Sequence, residues 1–118
     1  MKTFTRMAAQ GDFMIIRIDE IPAMETLNPM QVENNMFVVA HSETGHNHVM
    51  ERTNVEAFVP KNANERDLYE LFLNVKEPTQ ITHLRSFDTH EPLLVPPGNY
   101  KIRRQREYTA EGFRKAAD

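Results

Sequence analysis

The fold is decided by one stretch of the chain, which reads Met36-Phe37-Val38-Val39-Ala40-His41-Ser42-Glu43-Thr44-Gly45-His46-Asn47-His48-Val49-Met50-Glu51. It begins with an apolar run, passes through a short polar segment that contains a glycine, and returns to apolar residues. Two such runs around a glycine-containing connection are typical of two strands joined by a turn. The stretch therefore predicts a β-hairpin that carries three of the five histidines of the chain.

Short strand-like segments continue on both sides of this hairpin. The predicted strands cover residues 13–21, 36–41, 46–51, 55–59, 68–75, 79–85 and 100–108, separated by prolines, glycines and polar loops. Seven or so short strands with turn signals between them indicate an all-β protein, either a small β-barrel or a β-sandwich. We expect a single domain over residues 1–118, with 1–9 as a loose lead or edge segment and 110–118 as a polar tail with at most one helical turn.

Residues 68–75 fit two patterns. Leu68, Leu71, Phe72 and Val75 fit a helical stripe, whereas Leu71, Leu73 and Val75 fit a strand. The segment is short and its neighbours on both sides are strand-like, which favours the strand.

Composition narrows the classes of function. The chain has 118 residues, 40% hydrophobic and 26% charged, with a formal net charge of −3, so charge gives no overall attraction to nucleic acid or to an anionic membrane. It contains no cysteine, which excludes disulfides, thiolate metal sites and a cysteine nucleophile. With no apolar run of the ~20 residues that a membrane span needs and no signal-like core, we expect a protein of the cytoplasm of a bacterial or phage-infected cell.

The histidines are the main candidates for chemistry. His46 and His48 lie two residues apart, so on one strand both imidazoles project from the same face and can reach one ion. His41 could add a third ligand across the hairpin, and His90 a fourth from a distant segment, with Glu43 or Glu51 as a carboxylate. Imidazole and carboxylate ligands suit zinc, iron, manganese or nickel. The alternative is a solvated turn in which the histidines are incidental.

Two motifs resemble those of the cupins, a family of small β-barrels that hold a metal with an HxH pair, a nearby Glu and a later His. Gly45-His46-Asn47-His48 is similar to their first motif and Pro97-Gly98 to part of their second. The sequence departs from the pattern, because Arg52 or Thr53 stands where the Glu is expected and His90 precedes the glycine instead of following it. The resemblance implies a cupin-like barrel with a divalent metal.

A second resemblance covers most of the chain. The segments that carry it are Gln10-Gly11-Asp12, His41-Ser42-Glu43-Thr44-Gly45-His46-Asn47-His48, Phe87-Asp88-Thr89-His90-Glu91-Pro92 and Pro97-Gly98-Asn99-Tyr100-Lys101-Ile102-Arg103-Arg104-Gln105-Arg106-Glu107-Tyr108. The whole is similar to a group of small uncharacterised bacterial and phage proteins. This resemblance implies no activity.

The last predicted strand is rich in arginine. Tyr100, Ile102, Arg104, Arg106 and Tyr108 share one of its faces. If that face is the inner one, the arginines either pair with acids such as Asp88 or Glu91 or form a pocket for a small anionic substrate, with Tyr100 beside them. If it is the outer face, the stripe is a solvated basic strand that could contact single-stranded nucleic acid, although the chain as a whole is acidic.

Two classes of function remain open. In the first, the protein binds a divalent metal at His41, His46, His48 and His90; if it is an enzyme, the metal acts as a Lewis acid while Arg104 or Arg106 orients an anionic substrate. In the second, it is a non-catalytic phage or bacterial accessory module that self-associates. Glycine-rich phosphate loops are absent, which argues against a nucleotide cofactor, and edge pairing of such domains predicts a homo-oligomer, a dimer or larger.

Overall fold

Strands make up most of the regular structure in this computed structural model, which describes residues 2–10, 13–40, 47–61, 70–83, 92–104, 107–109 and 112–114. The strands are β1 (Lys2–Thr3), β2 (Met7–Gln10), β3 (Phe13–Ile18), β4 (Leu27–Pro29), β5 (Met36–Ala40), β6 (His48–Glu51), β7 (Val55–Pro60), β8 (Glu70–Val75), β9 (Thr79–His83), β10 (Leu93–Val95), β11 (Gly98–Arg104), β12 (Glu107–Thr109) and β13 (Gly112–Arg114). A single 3₁₀ turn, Met24–Thr26, is the helical structure found in these residues. In this part of the chain, no helix is long and apolar enough to cross a membrane.

The strands form two main sheets. One has six antiparallel strands in the order β2-β3-β11-β8-β7-β4. The other has the order β1-β10-β9-β6-β5, in which β10, β9, β6 and β5 are antiparallel and the two-residue β1 adds in parallel. The described strands close no barrel. The all-β prediction is therefore confirmed, and of its two forms the sandwich describes the arrangement.

One hydrophobic core lies between the sheets. It draws side chains from both, namely Phe13, Ile15, Val55, Ala57, Leu71, Leu73, Val75, Tyr100 and Ile102 from the six-stranded sheet and Phe37, Val39, Ala40, Met50, Ile81, Leu93 and Val95 from the other. Strands such as β8 and β10 bury alternate residues, and burial of such apolar side chains between two sheets stabilises a sandwich.

The predicted hairpin is confirmed, with one irregularity. β5 and β6 pair antiparallel, with Val38 opposite Val49 and Ala40 opposite His48. The register shifts between Val38 and Ala40, so Val39 is the extra residue of a β-bulge. The bulge lies directly before the histidine-bearing connection.

Segment 68–75 forms a strand from Glu70 onward, as expected. Leu71, Leu73 and Val75 are buried and alternate with half-buried residues. β8 pairs with β11 on one side and with β7 on the other. Each of its residues therefore has a partner in a neighbouring strand, which an isolated helical turn would not provide.

The C-terminal segment differs from the expectation in one respect. Within 100–108, β11 ends at Arg104 and β12 begins at Glu107, and residues 105–106 between them lie outside the described residues. The segment expected to form at most a helical turn contains β13, which pairs with β12 through Thr109 and Gly112. A hairpin partner a few residues away supplies backbone hydrogen bonds, whereas a single isolated helical turn is marginal in water.

Candidate functional site

Two histidines lie side by side at one end of the smaller sheet. β5 ends at Ala40, β6 begins at His48, and β9 ends at His83. These three positions lie side by side, because Ala40 is opposite His48 and His48 is opposite His83. We call this end, marked by Ala40, His48 and His83, the histidine end.

The other three histidines lie in connections that leave from the same end. His41 and His46 fall between β5 and β6. His90 falls between β9 and β10, and β10 starts beside the end of β9 because Leu93 is opposite Ile81. Residues 41–46 and 84–91, which include these three histidines, lie outside the described residues. Both connections nevertheless begin and end at the histidine end.

His48 is the predicted ligand that the structure describes. Its side chain is only 1% exposed, and its ring meets the ring of Phe13 edge to face, with centroids 5.0 Å apart and an interplanar angle of 76°. Edge-to-face packing is a favourable aromatic geometry. His48 is therefore a fixed part of the inner face at this end of the sheet.

The carboxylate expected from Glu51 is not close to His48. Glu51 stands at the opposite end of β6, is exposed and lines an outer groove of about 400 Å³ together with Met36, Pro78 and Thr82. The strand between His48 and Glu51 contains no bulge, so the offset of three keeps the two residues on opposite faces. Glu43, the other candidate, lies outside the described residues.

Arg104 lies at the histidine end but contacts backbone. Its Nε donates to the carbonyl oxygen of Val39 at 3.0 Å, and its Nη2 donates to that of Val38 at 3.2 Å. Burial lowers the pKa of the guanidinium from its usual range. Because the bulge lies at Val39, one planar group can reach the successive carbonyls of Val38 and Val39, which a regular strand would direct apart.

The inner face of β11 is thus the face that carries Tyr100, Ile102 and Arg104. Tyr100 and Ile102 are fully buried, whereas Arg103 on the other face is exposed. The alternative of an outward-facing stripe does not hold for the residues of β11. Arg106, Asp88 and Glu91, which the sequence also suggested, lie outside the described residues.

Tyr100 belongs to a separate network at the opposite end of β11. Its hydroxyl donates to the carbonyl oxygen of Pro96 at 2.6 Å and accepts from Nη2 of Arg17 at 2.8 Å. The Arg17 guanidinium also lies 5.1 Å from the centre of the Tyr100 ring and donates to the carbonyl oxygens of Thr5 and Pro97. The structure therefore does not bring Tyr100 together with Arg104.

Gly98 makes this second network possible. Its φ is +152°, and a Cβ at this position would overlap Nη1 of Arg17. The Pro96-Pro97-Gly98 turn and the Arg17–Tyr100 pair thus form one structural unit. Sequence reasoning missed Arg17, because its pairing opposite Tyr100 depends on the register of β3 against β11.

Most of the predicted metal ligands lie outside the part of the chain that the structure describes. The described residues contain no group of three or more His, Asp or Glu side chains placed to hold a metal ion. Three of the four predicted ligands, His41, His46 and His90, fall outside them, so the predicted metal site stays a prediction.

The fold and these residues define an all-β sandwich with a histidine-rich end. The chain belongs to the family described as a domain of unknown function, DUF8820, whose family model matches residues 9–105. That range contains both main sheets except β1 and the first two residues of β2, and all five histidines. No curated protein and no solved structure matches the chain. Membership in a family without an assigned activity agrees with one of the two resemblances, and the comparisons give no support to the cupins.

Proposed function

We propose that the protein binds one divalent transition-metal ion at the histidine end, with His48, His41, His46 and His90 as the ligands. One observation carries the proposal. His48 and His83 stand at strand ends at the histidine end. The other three histidines belong to connections that begin and end at this same end of the sheet. The proposal depends on this histidine set and not on a cupin barrel.

The chemistry of the proposed ligands narrows the choice of metal ion. Neutral imidazole binds zinc, iron and nickel well and manganese less strongly, and the absence of cysteine removes the thiolates that would favour a purely structural zinc site. The connections also carry Glu43, Asp88 and Glu91. These carboxylates would offset the positive charge that Arg104 brings to this end of the molecule.

Burial at His48 suits a tightly held ion. The imidazole is already out of water and its ring is packed against Phe13, so little side-chain freedom is lost when a metal binds. If the protein is an enzyme, the ion supplies a Lewis acid. Arg104 is committed to the β5 backbone, which leaves Arg106 as the proposed contact for an anionic substrate.

The test is the metal content of protein purified without a histidine tag. We expect about one equivalent of metal per chain in the wild type and loss of that metal in His46→Ala. Gln80→Ala is the matched control, because Gln80 is exposed and lines the outer groove. Metal-free wild-type protein that also fails to take up Zn²⁺, Fe²⁺, Mn²⁺ or Ni²⁺ in titrations would refute the proposal.

A second candidate is a non-catalytic module that self-associates. The observation in its favour is β2, which ends the six-stranded sheet among the described strands and carries Met7, 52% exposed. Edge strands with exposed apolar residues are sites of strand pairing between copies. Light scattering would show a mass that is a multiple of 13.7 kDa, and Met7→Lys would return it to the monomer value.

A further inference from the structure

The outer groove of about 400 Å³ lies on the outer face of the smaller sheet. Strand register sets its floor, because Met36 is opposite Glu51 and Val49 is opposite Thr82. Residues directly opposite in an antiparallel pair share a face, and so do Val49 and Glu51, which are two apart on β6. Val49 is buried and Met36 is half-buried. The floor therefore combines two apolar side chains with one hydroxyl and one carboxylate.

Two turns form the walls of the outer groove. Thr53 and Asn54 belong to the turn between β6 and β7, and Pro78 belongs to the turn between β8 and β9. The backbone N–H of Lys76, in the second turn, donates to the carbonyl oxygen of Asn54 at 2.8 Å. This hydrogen bond joins the two walls, so the groove is formed before a ligand binds and the ordering cost of binding is low.

Several polar side chains of the outer groove have no partner within the protein. Among the described residues, no hydrogen bond or ion pair involves the side chain of Glu51, Asn54 or Thr82. Oγ1 of Thr79 donates its hydrogen to the carbonyl oxygen of Glu77 at 2.9 Å, which leaves its lone pairs for a ligand. A carboxylate also accepts and does not donate. The lining therefore offers more acceptors than donors.

The charge of the outer groove is negative. Glu51 is the one ionisable side chain among the described residues that line it, and Arg52, the next residue, lines an adjoining groove instead. An ammonium group has a positive charge, three donors and no acceptor. It complements both the unpaired carboxylate and the excess of acceptors, and an aliphatic stem complements Met36 and Val49.

We infer that the outer groove binds a small organic cation that carries a primary ammonium group on an aliphatic stem. Glu51 pairs with the ammonium, Asn54 and Thr82 accept its remaining hydrogens, and the stem lies on Val49. The volume falls within the roughly 300–1,000 Å³ of ligand pockets in proteins. The site is separate from the proposed metal site, because His48 and Val49 are successive strand residues and point to opposite faces of β6.

The first experiment compares three probes of similar size that differ in charge. n-Pentylammonium, 1-pentanol and pentanoate are titrated into isotope-labelled full-length protein and followed by NMR. n-Pentylammonium should give saturable shifts of the backbone amide signals of Val49, Glu51 and Thr82. It should bind at least about fivefold more tightly than 1-pentanol, a factor of the size that a partly exposed ion pair contributes, and pentanoate should not bind. Equal affinities for the ammonium and the alcohol, or no shifts at these residues, would overturn the inference.

Glu51→Gln removes the charge and keeps the shape of the side chain. It should weaken n-pentylammonium binding by at least about fivefold and leave the affinity for 1-pentanol unchanged. Glu25→Gln is the matched control, because Glu25 is an exposed acid of the 3₁₀ turn outside the groove lining; its affinity for n-pentylammonium should equal that of the wild type. Equal losses in the two variants would mean a general attraction of the acidic protein for cations and would contradict the site.

Glu51→Lys reverses the charge on the floor of the outer groove. This variant should lose n-pentylammonium binding and gain pentanoate binding, with shifts at the amides of Val49 and Thr82. A gain of binding does not arise from misfolding, and retained binding of n-pentylammonium without pentanoate binding would refute the role of Glu51. Metal content should be the same in Glu51→Lys as in the wild type, so the failure of this inference and the failure of the proposed metal site are distinguishable.

Discussion

Nε of Arg104 donates a hydrogen bond to the backbone carbonyl oxygen of Val39, 3.0 Å away in the opposite sheet. Together with the hydrogen bond from Nη2 to the carbonyl oxygen of Val38, it links the end of β11 to the bulge of β5. The bulge lies two residues before His41 in sequence. Arg104 therefore stabilises the strand end from which the histidine-bearing connection starts.

Replacing Arg104 should cost more than replacing its neighbour. Arg104→Met keeps the aliphatic stem but leaves the carbonyls of Val38 and Val39 without this donor. Because a hydrogen bond to a charged group contributes about 1.5–3 kcal/mol and two are lost, we expect the free energy of unfolding, measured by urea denaturation, to fall by at least about 3 kcal/mol. Arg103→Met, at an exposed position on the same strand, should change stability by less than about 0.5 kcal/mol. Equal effects of the two substitutions would argue against this role.

Tyr100→Phe should isolate the hydroxyl of the second network. The substitution removes the donor to Pro96 and the acceptor for Arg17 while keeping the buried ring. We expect destabilisation of about 1–2 kcal/mol in the same urea experiment. A double-mutant cycle with Arg17→Met provides the control, because the two losses should be less than additive if the residues interact. Strict additivity would show that the contact carries no energy.

Tyr100 should also make stability depend on alkaline pH. Burial raises the pKa of its hydroxyl from 10.0, an effect that the nearby Arg17 charge partly opposes. A group whose pKa is higher in the folded state holds its proton longer there, so its stabilising contribution is complete below the unfolded pKa and is lost as pH rises through the folded pKa. Above about pH 10 the wild type should therefore lose stability faster than Tyr100→Phe. Parallel curves for the two proteins would contradict this prediction.

Gly98→Ala should be destabilising for two reasons that can be separated. The backbone φ of +152° strains any residue with a Cβ, and the added methyl group overlaps Nη1 of Arg17. We expect a loss of about 1–3 kcal/mol, detected as a lower thermal midpoint. In an Arg17→Met background the overlap with the guanidinium is gone, so Gly98→Ala should cost less there. An equal cost in both backgrounds would leave backbone strain as the whole effect.

Local patterns in the sequence predicted much of the fold. The hairpin from Met36 to Glu51 follows from two apolar runs around a polar connection, and the strand at Leu71, Leu73 and Val75 follows from alternation. The choice between barrel and sandwich does not follow from such patterns. It depends on which strands pair across long sequence separations, such as β3 with β11.

The candidate site was predictable only in part. The HxH spacing pointed to His48, which lies on the inner face, but the pairing of His48 with His83 depends on the register of two strands that are not consecutive. Arg104 was expected to meet an acid or an anion. Its described contacts are with the carbonyls at the bulge of β5, and the suggested acids, Asp88 and Glu91, lie outside the described residues. Alternation in a single sequence does not reveal a one-residue bulge in a partner strand.

The most direct test of the metal site is anomalous diffraction from crystals of tag-free protein, recorded on both sides of the absorption edge of the metal found by elemental analysis. We predict one anomalous peak per chain at the histidine end, about 2.0–2.1 Å from an imidazole nitrogen of His48, with a second imidazole at a similar distance. Crystals of metal-supplemented protein that show no peak there, with the His48 ring packed solely against protein atoms, would contradict the account.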